Sequence, residues 1–403
     1  MSKETTIVSQ QLSTKEGAFT AEFEWPVTLA IDKGLDGAVT NKSKVGYVDG
    51  DKGRLIYQGY PVETLAENAN YEEVAYLLIF GKLPNEAEYA EFDSKLKAQR
   101  KMPIEVVKIM DIIYDHKHSH PMSLLRTAVS VLGVLQKNVM DTSRENELRM
   151  GMHLIASMPT VIAALHRLRL GLKPVEPDIT LSHVENFLYM LHGKKPAALD
   201  VKLLEISMIL HADHGMNAST LTAMATSASL SDLYSSIVGA IGSLKGPLHG
   251  GANEVVLQEF LKIKSIAHVT EYVAGKVAKK EKIMGFGHRI YKTYDPRAAV
   301  MKKYASKLKE EVEMFKIAEV LDKEVVAKYG SKGIYPNVDF YSGIIYKHLG
   351  FETNFFTTIF AAARISGWLA RILEYRAENR IFRPRDVYIG EFNKEFVERK
   401  KRV

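Results

Sequence analysis

The sequence contains no cysteine among its 403 residues. Disulfides, thiolate nucleophiles, iron–sulfur clusters and cysteine-rich zinc sites are therefore excluded, and the expected location is a reducing compartment, the cytoplasm. No run approaches the roughly 18 consecutive apolar residues of a membrane span. The most apolar late stretch, 355–373, is interrupted by Arg364 and Arg371. The opening MSKETTIVSQQ lacks the basic-then-apolar pattern of a signal peptide. There is no GxxxxGK[ST], no GxSxG and no HExxH, so NTPase, serine hydrolase and zincin chemistry have no anchor. GFGHRI (285–290) begins like a dinucleotide fingerprint but has Ile290 where the third glycine belongs. No internal repeat at solenoid periods is present.

Charge is modest overall and uneven along the chain. The net charge of +6 is too small to point to nucleic acid. Residues 276–309 hold eleven Lys/Arg against Glu281 and Asp295, and 364–403 hold eleven against six acids. Much of this is solvated helix surface. The remainder suits a polyanionic small molecule, such as a phosphate-bearing cofactor or a polycarboxylate.

Helical periodicity dominates what is present. Residues 61–81 place Leu65, Ala66, Val74, Leu77 and Leu78 on one side and stop at Gly81. Spans 123–136, 144–172, 199–213, 217–228, 231–244, 298–328 and 354–377 read the same way. Several are apolar nearly all round, as helices inside a large helical protein are. KVGYVDGD and GRLIYQGY (44–51 and 53–60) suggest a small hairpin. The fold class is therefore mostly α, with a minor β hairpin near the start. Residues 1–22 are expected to be a flexible arm. Glycine-marked bends near 250 and 350 bracket a smaller helical domain, 253–353, set between the two parts of a large helical domain, 23–252 and 354–403.

Candidate chemistry gathers at a few places. DHKHSHPM (115–122) alternates His116, His118 and His120, as ligands on a strand would. Pro121 follows at once, so a polar turn feeding a helix accounts for it better, and no metal site is assigned. His249 lies in GPLHGG (246–251), where the missing side chains are expected to leave room for a ligand. His288 follows a Gly-x-Gly bend in GFGHRIYKTYDPR (285–297). Asp339, in YPNVDFYSG (335–343), sits between Val338 and Phe340 at the start of a helix, as either an N-cap or a base. Two imidazoles and a carboxylate, with no nucleophile and no metal, suit proton abstraction beside a carbonyl.

These blocks, with the late AAARISGWLARILEYR and RPR, resemble the citrate synthase family over about residues 29–390, closest to its shorter bacterial and archaeal form. The resemblance implies an almost wholly helical fold whose small domain closes over the substrates. It implies condensation of acetyl-CoA with oxaloacetate, with acetyl-CoA a substrate and no cofactor. By resemblance, His249 bonds the thioester oxygen, Asp339 takes the methyl proton and His288 polarises the oxaloacetate carbonyl. His214 (in LHADHGMN), Arg297 and Arg364 bind oxaloacetate. Arg383, with Arg385 a near rival, comes from the partner subunit of a homodimer, and assembly beyond the dimer stays open. Lys292 lies where the family has a basic residue near CoA phosphate. No nucleic-acid or membrane partner is implied. The nearest alternative is 2-methylcitrate synthase, which differs by one methylene on the acyl group. A more distant one is a non-catalytic helical scaffold or metal-binding protein built on the 116–120 histidines.

Overall fold

The computed structural model describes residues 4–8, 27–31, 33–35, 37–114, 118–308, 311–384 and 394–402. The chain divides into two compact units, one of residues 43–381 and one of 1–42 with 382–403. Sixteen α-helices occur among the described residues, so the mostly α reading holds. The smaller unit contains strands Glu4–Val8 and Val27–Ile31, paired antiparallel with Glu4 opposite Ile31 and Val8 opposite Val27. Part of the segment read as an arm is thus a strand. Both strands are rich in β-branched residues, which favour extended backbone.

In the larger unit the expected hairpin forms from Gly46–Asp49 and Arg54–Tyr57, and Tyr60–Pro61 adds a third short strand. The helical stretch ending at Gly81 is two helices, Val62–Asn68 and Tyr71–Phe80, because Asn70 and Glu73 build a reciprocal capping box between them. The span 298–328 is also two helices, Pro296–Ala305 and Val312–Tyr329. The first begins on an Asp-Pro pair, with the Asp295 carboxylate accepting the Arg297 N–H and Pro296 at the first helical position. It ends in a tight turn at 306–308, which the evenly spread lysines of KKYASKLK conceal.

Helix Arg144–Arg169 is apolar and long enough to cross a membrane, but most of that apolar stretch is packed inside the protein. It lies against Pro121–Val134, His183–His192 and Phe356–Arg376. The last of these is buried along nearly its whole length and also meets Tyr71–Phe80, Ala198–His211 and Ala218–Ala228.

One contact sets how deep that helix sits. A Cβ on Gly367 would lie 2.1 Å from the carbonyl oxygen of Ala212. No side chain fits there, so helix and turn touch backbone to backbone. Four residues on, Arg371 grips Asp213 with two bonds, Nε to Oδ1 and Nη2 to Oδ2, each 2.7 Å. The pair is almost fully buried. Tyr57 closes the turn: its hydroxyl accepts the Asp213 N–H at 3.1 Å and donates to the Asp213 carbonyl at 2.8 Å. Burial works against the Asp213 carboxylate, but Arg371 holds its pKa below the ordinary value.

The contact yields a paired test. Gly367→Ala must separate helix and turn, and is expected to cost about 2 kcal/mol or more in urea unfolding. Gly151→Ala, on the neighbouring long helix, would meet only ordinary contacts 3.5 Å away on Leu369 and serves as its control. It should be neutral or stabilise by up to about 1 kcal/mol. Equal behaviour of the two variants would refute the close-approach argument.

Candidate active site

Gly367 and Arg371 lie on the same face of the central helix as Phe360, Arg364 and Trp368, spaced by threes and fours. Arg364 is buried, and its Nε donates to the carbonyl of His211, one residue before Ala212. Its Nη1 and Nη2 are shut off from solvent and make no hydrogen bond among the described residues. Burial lowers its pKa to about 10, so the group is still a cation at neutral pH. Two unshared N–H groups on a buried cation are a seat for a carboxylate. The flat guanidinium lies 4.8 Å from the Phe360 ring, which also meets the edges of His211 and His249.

Trp368 places His249 indirectly. Its Nε1–H donates to Ser219 Oγ at 3.1 Å, and Ser219 Oγ lies 2.8 Å from His249 Nε2. The Ser219 backbone N–H also points at Nε2, at 3.3 Å. A backbone N–H can only donate, so Nε2 is the acceptor and the ring proton sits on Nδ1. Burial, with Arg364 nearby, lowers the imidazole pKa to about 4. His249 is therefore an uncharged Nδ1–H donor. The glycines around it do not clear space for a ligand, as their sequence suggested. A Cβ on Gly250 would strike Leu244 at 2.7 Å, and Gly246 and Gly251 face Ser243 and Lys245 carbonyls. They let the bend fold tightly onto the end of its own helix.

His288 has the opposite tautomer. Its Nδ1 accepts the N–H groups of Ile290 and Tyr291 at 3.0 and 3.1 Å, so its proton is on Nε2. Burial and then Arg297 bring its pKa to about 4. Gly285 and Gly287 flank the bend with φ of 84° and 82°, a region that favours glycine. His214 meets the His288 ring edge-on at 5.2 Å, and its Nε2 lies 3.2 Å from the Tyr291 hydroxyl. Burial, with Arg297 and His288 beside it, keeps His214 neutral. Arg297 is buried and held on both oxygens of Asp295, Nε at 3.0 Å and Nη2 at 2.7 Å. Burial opposes its charge, and Asp295 more than restores it, raising its pKa.

Asp339 is not the N-cap of its helix. Asn337 is, its Oδ1 accepting the Asp339 N–H at 3.1 Å. The carboxylate is left with Oδ1 buried and without a partner among the described residues. Burial raises its pKa to about 7, against opposing pulls from Arg297 and Arg364. These couplings put Asp339 within electrostatic reach of both arginines, and Arg364 within reach of His249 and His214. Six expected residues thus converge: His214, His249, His288, Arg297, Asp339 and Arg364.

Lys292 lies within electrostatic reach of His288 but is exposed, its Nζ donating to the Arg289 carbonyl at 3.3 Å. Arg383 belongs to the smaller unit, is exposed, and donates to the carbonyl of Pro384. Arg385 and His116 lie outside the described residues. His120 caps Pro121–Val134, its Nδ1 accepting the Met122 N–H at 3.2 Å. Sequence reasoning missed Ser219, Trp368, Asn337 and Asp295. The last two precede helices, where capping rules could have found them. The first two act across the chain and carry no local signal.

The citrate synthase, C-terminal domain family model matches residues 34–385. A citrate synthase of Deinococcus radiodurans is 45% identical over 92% of this chain and 99% of its own length. A 2-methylcitrate synthase of Mycobacterium tuberculosis is 39% identical over 89% of this chain and 91% of its own. The solved citrate synthase of Thermoplasma acidophilum, in a ternary complex with carboxymethyl coenzyme A and oxaloacetate, is 33% identical. It superposes with a TM-score of 0.88, covering 92% of this chain and 99% of that one. With this fold and these residues, the chain belongs to the citrate synthase family.

Proposed function

We propose that the chain condenses acetyl-CoA with oxaloacetate and water, giving citrate and CoA, as an acyltransferase whose acyl group becomes alkyl on transfer. The observation that carries this is a basic carboxylate, Asp339, set among neutral imidazoles of defined tautomer and a buried arginine with two free donors. Asp339 removes a proton from the acetyl methyl while His249 Nδ1–H donates to the thioester oxygen. Neutral donors match an enol oxygen without needing to lose a proton. The enol carbon attacks the oxaloacetate ketone, the C=O π pair moves to the oxygen under a hydrogen bond from His288 Nε2–H, and that oxygen becomes a hydroxyl by gaining one proton, balancing the one Asp339 took from the methyl group. Arg364, Arg297 and His214 hold the oxaloacetate carboxylates. Water then cleaves the citryl thioester and the CoA thiol leaves. Every step uses acids, bases and donors of the chain itself, so no resident cofactor is invoked. Closure of 253–353 over the substrates would exclude water until hydrolysis. Lys292 is assigned to CoA phosphate and Arg383 to a neighbouring site in a homodimer, both on the family pattern.

Release of CoA thiol from acetyl-CoA plus oxaloacetate tests the reading. The 2-methylcitrate synthase relative makes propionyl-CoA the second substrate to measure, since one methylene is worth only about 1–3 kcal/mol in a pocket. A higher kcat/KM for propionyl-CoA would reassign the acyl group. Asp339→Asn should bind oxaloacetate and release no thiol above background.

The pH dependence follows from Asp339. Its folded pKa of about 7 lies above the ordinary 3.8, so folding favours the protonated acid. That contribution to stability is full below pH 3.8 and is lost as pH rises to about 7. Catalysis needs the ionised form, so activity should climb over the same interval. Asp339→Asn should then unfold at a higher temperature than wild type at mildly alkaline pH and at the same temperature in strong acid. The alkaline difference is on the order of a few kcal/mol. A variant no more stable than wild type at alkaline pH would contradict the raised pKa.

Sharing of the site across a dimer has its own test. Co-expressed Asp339→Asn and Arg383→Ala chains, each inactive alone, should form hybrids with one intact site in two. Recovery of about a quarter of wild-type activity is expected for random pairing. An inactive mixture would place Arg383 in its own chain's site, and an Arg383→Ala chain active alone would place it outside any.

A further inference from the structure

The segments carrying His288 and Asp339 are stitched together. The Gly287 N–H donates to the Tyr335 carbonyl at 2.8 Å, and the Asn337 N–H to the Gly285 carbonyl at 2.9 Å. Phe286 and Pro336 form an antiparallel bridge between them. The Asn337 side chain adds a bond on each side. Its Nδ2 donates to the Gly287 carbonyl at 3.0 Å, one residue before His288. Its Oδ1 accepts the Asp339 N–H at 3.1 Å. One amide thus spans the backbone of the base and the backbone of the ketone donor.

We propose that Asn337 is a positioning residue that fixes Asp339 relative to His288 and keeps the first-turn N–H groups of the helix away from the Asp339 carboxylate. This rests on the roles given to both residues under Proposed function. The first N–H groups of a helix have no partner within it. A carboxylate in the first turn turns towards them, and such bonds make it a weaker base. Asn337 occupies the Asp339 N–H, and Asp339 Oδ1 accepts no hydrogen bond. The charged groups facing Asp339 are Arg297 and Asp295, at the start of helix Pro296–Ala305, and Arg364 of helix Phe356–Arg376. None is altered by changing Asn337, so a displaced pH limb reports the cap itself. A cap serving the helix alone would lower thermal stability and leave turnover and pH profile in place.

Two substitutions separate the two bonds. Asn337→Ser keeps an oxygen to accept the Asp339 N–H but cannot reach the Gly287 carbonyl. It should lower kcat about tenfold, with KM for oxaloacetate close to wild type and the acidic limb unmoved. Asn337→Ala loses both bonds. It should lower kcat roughly 100-fold and move the acidic limb of the kcat profile down by about one pH unit. The readout is thiol release from acetyl-CoA and oxaloacetate across acid to neutral pH, with thermal melting of each variant in parallel. Variants that differ from wild type only in melting temperature overturn the proposal, as does an Asn337→Ala limb that stays in place. If Asn337→Ala does not fold, unchanged kcat in Asn337→Ser overturns it alone. Wild type is read first: no thiol release removes the reading beneath the proposal, whereas release with unaffected variants removes the proposal only.

Discussion

The contact between Gly367 and the Ala212 carbonyl is the constraint on which the reaction centre rests. It lets helix Phe356–Arg376 lie against the turn at 211–214 with no side chain between them. Everything on that face of the helix is placed by the same approach. Arg364 reaches the His211 carbonyl, Trp368 reaches Ser219 and through it His249, and Arg371 clamps Asp213 beside His214. A shift of one residue along the helix would break all three. The buried Arg371–Asp213 pair brings little net stability by itself, since desolvation offsets most of its attraction. Its value is register: only one alignment satisfies two parallel bonds.

A second block carries the rest of the chemistry. His288 and Asp339 share a short backbone ladder, and Arg297 is held by Asp295 just beyond it. The Asp322 carboxylate ties this block from behind, accepting from Tyr294, Lys302 and Tyr341 on a single oxygen. Tyr294 adjoins Asp295 and Tyr341 lies two residues from Asp339, so a buried carboxyl group outside the site ties down the starts of two helices inside it. The two blocks divide the site. One presents the His249 Nδ1–H and the unshared Arg364 N–H groups, the other the Asp339 carboxylate and the His288 Nε2–H.

How much of this the sequence reveals depends on the range of each interaction. Long apolar helices show their period directly, and 144–172 and 354–377 match Arg144–Arg169 and Phe356–Arg376 closely. Glu86–Ala98 escapes because it is polar on most sides and buries only Phe92 and Leu96. The end of a helix at Ala305 escapes because lysines suit helix and turn alike. Among site residues, His249, His288, Asp339 and the arginines stand in compact motifs. Ser219 and Trp368 lie 149 positions apart and matter only through a hydrogen bond that tertiary packing creates. The glycines beside His249 show the opposite error. The residue type was informative, but its beneficiary is the backbone of Leu244.

Arg364 has a consequence for handling the protein. A guanidinium walled off from water keeps two N–H groups unshared among the described residues. Sulfate, phosphate and short dicarboxylates have the charge and oxygen spacing to match that pair of donors. Affinities and melting temperatures of this chain are therefore best compared at one fixed buffer anion.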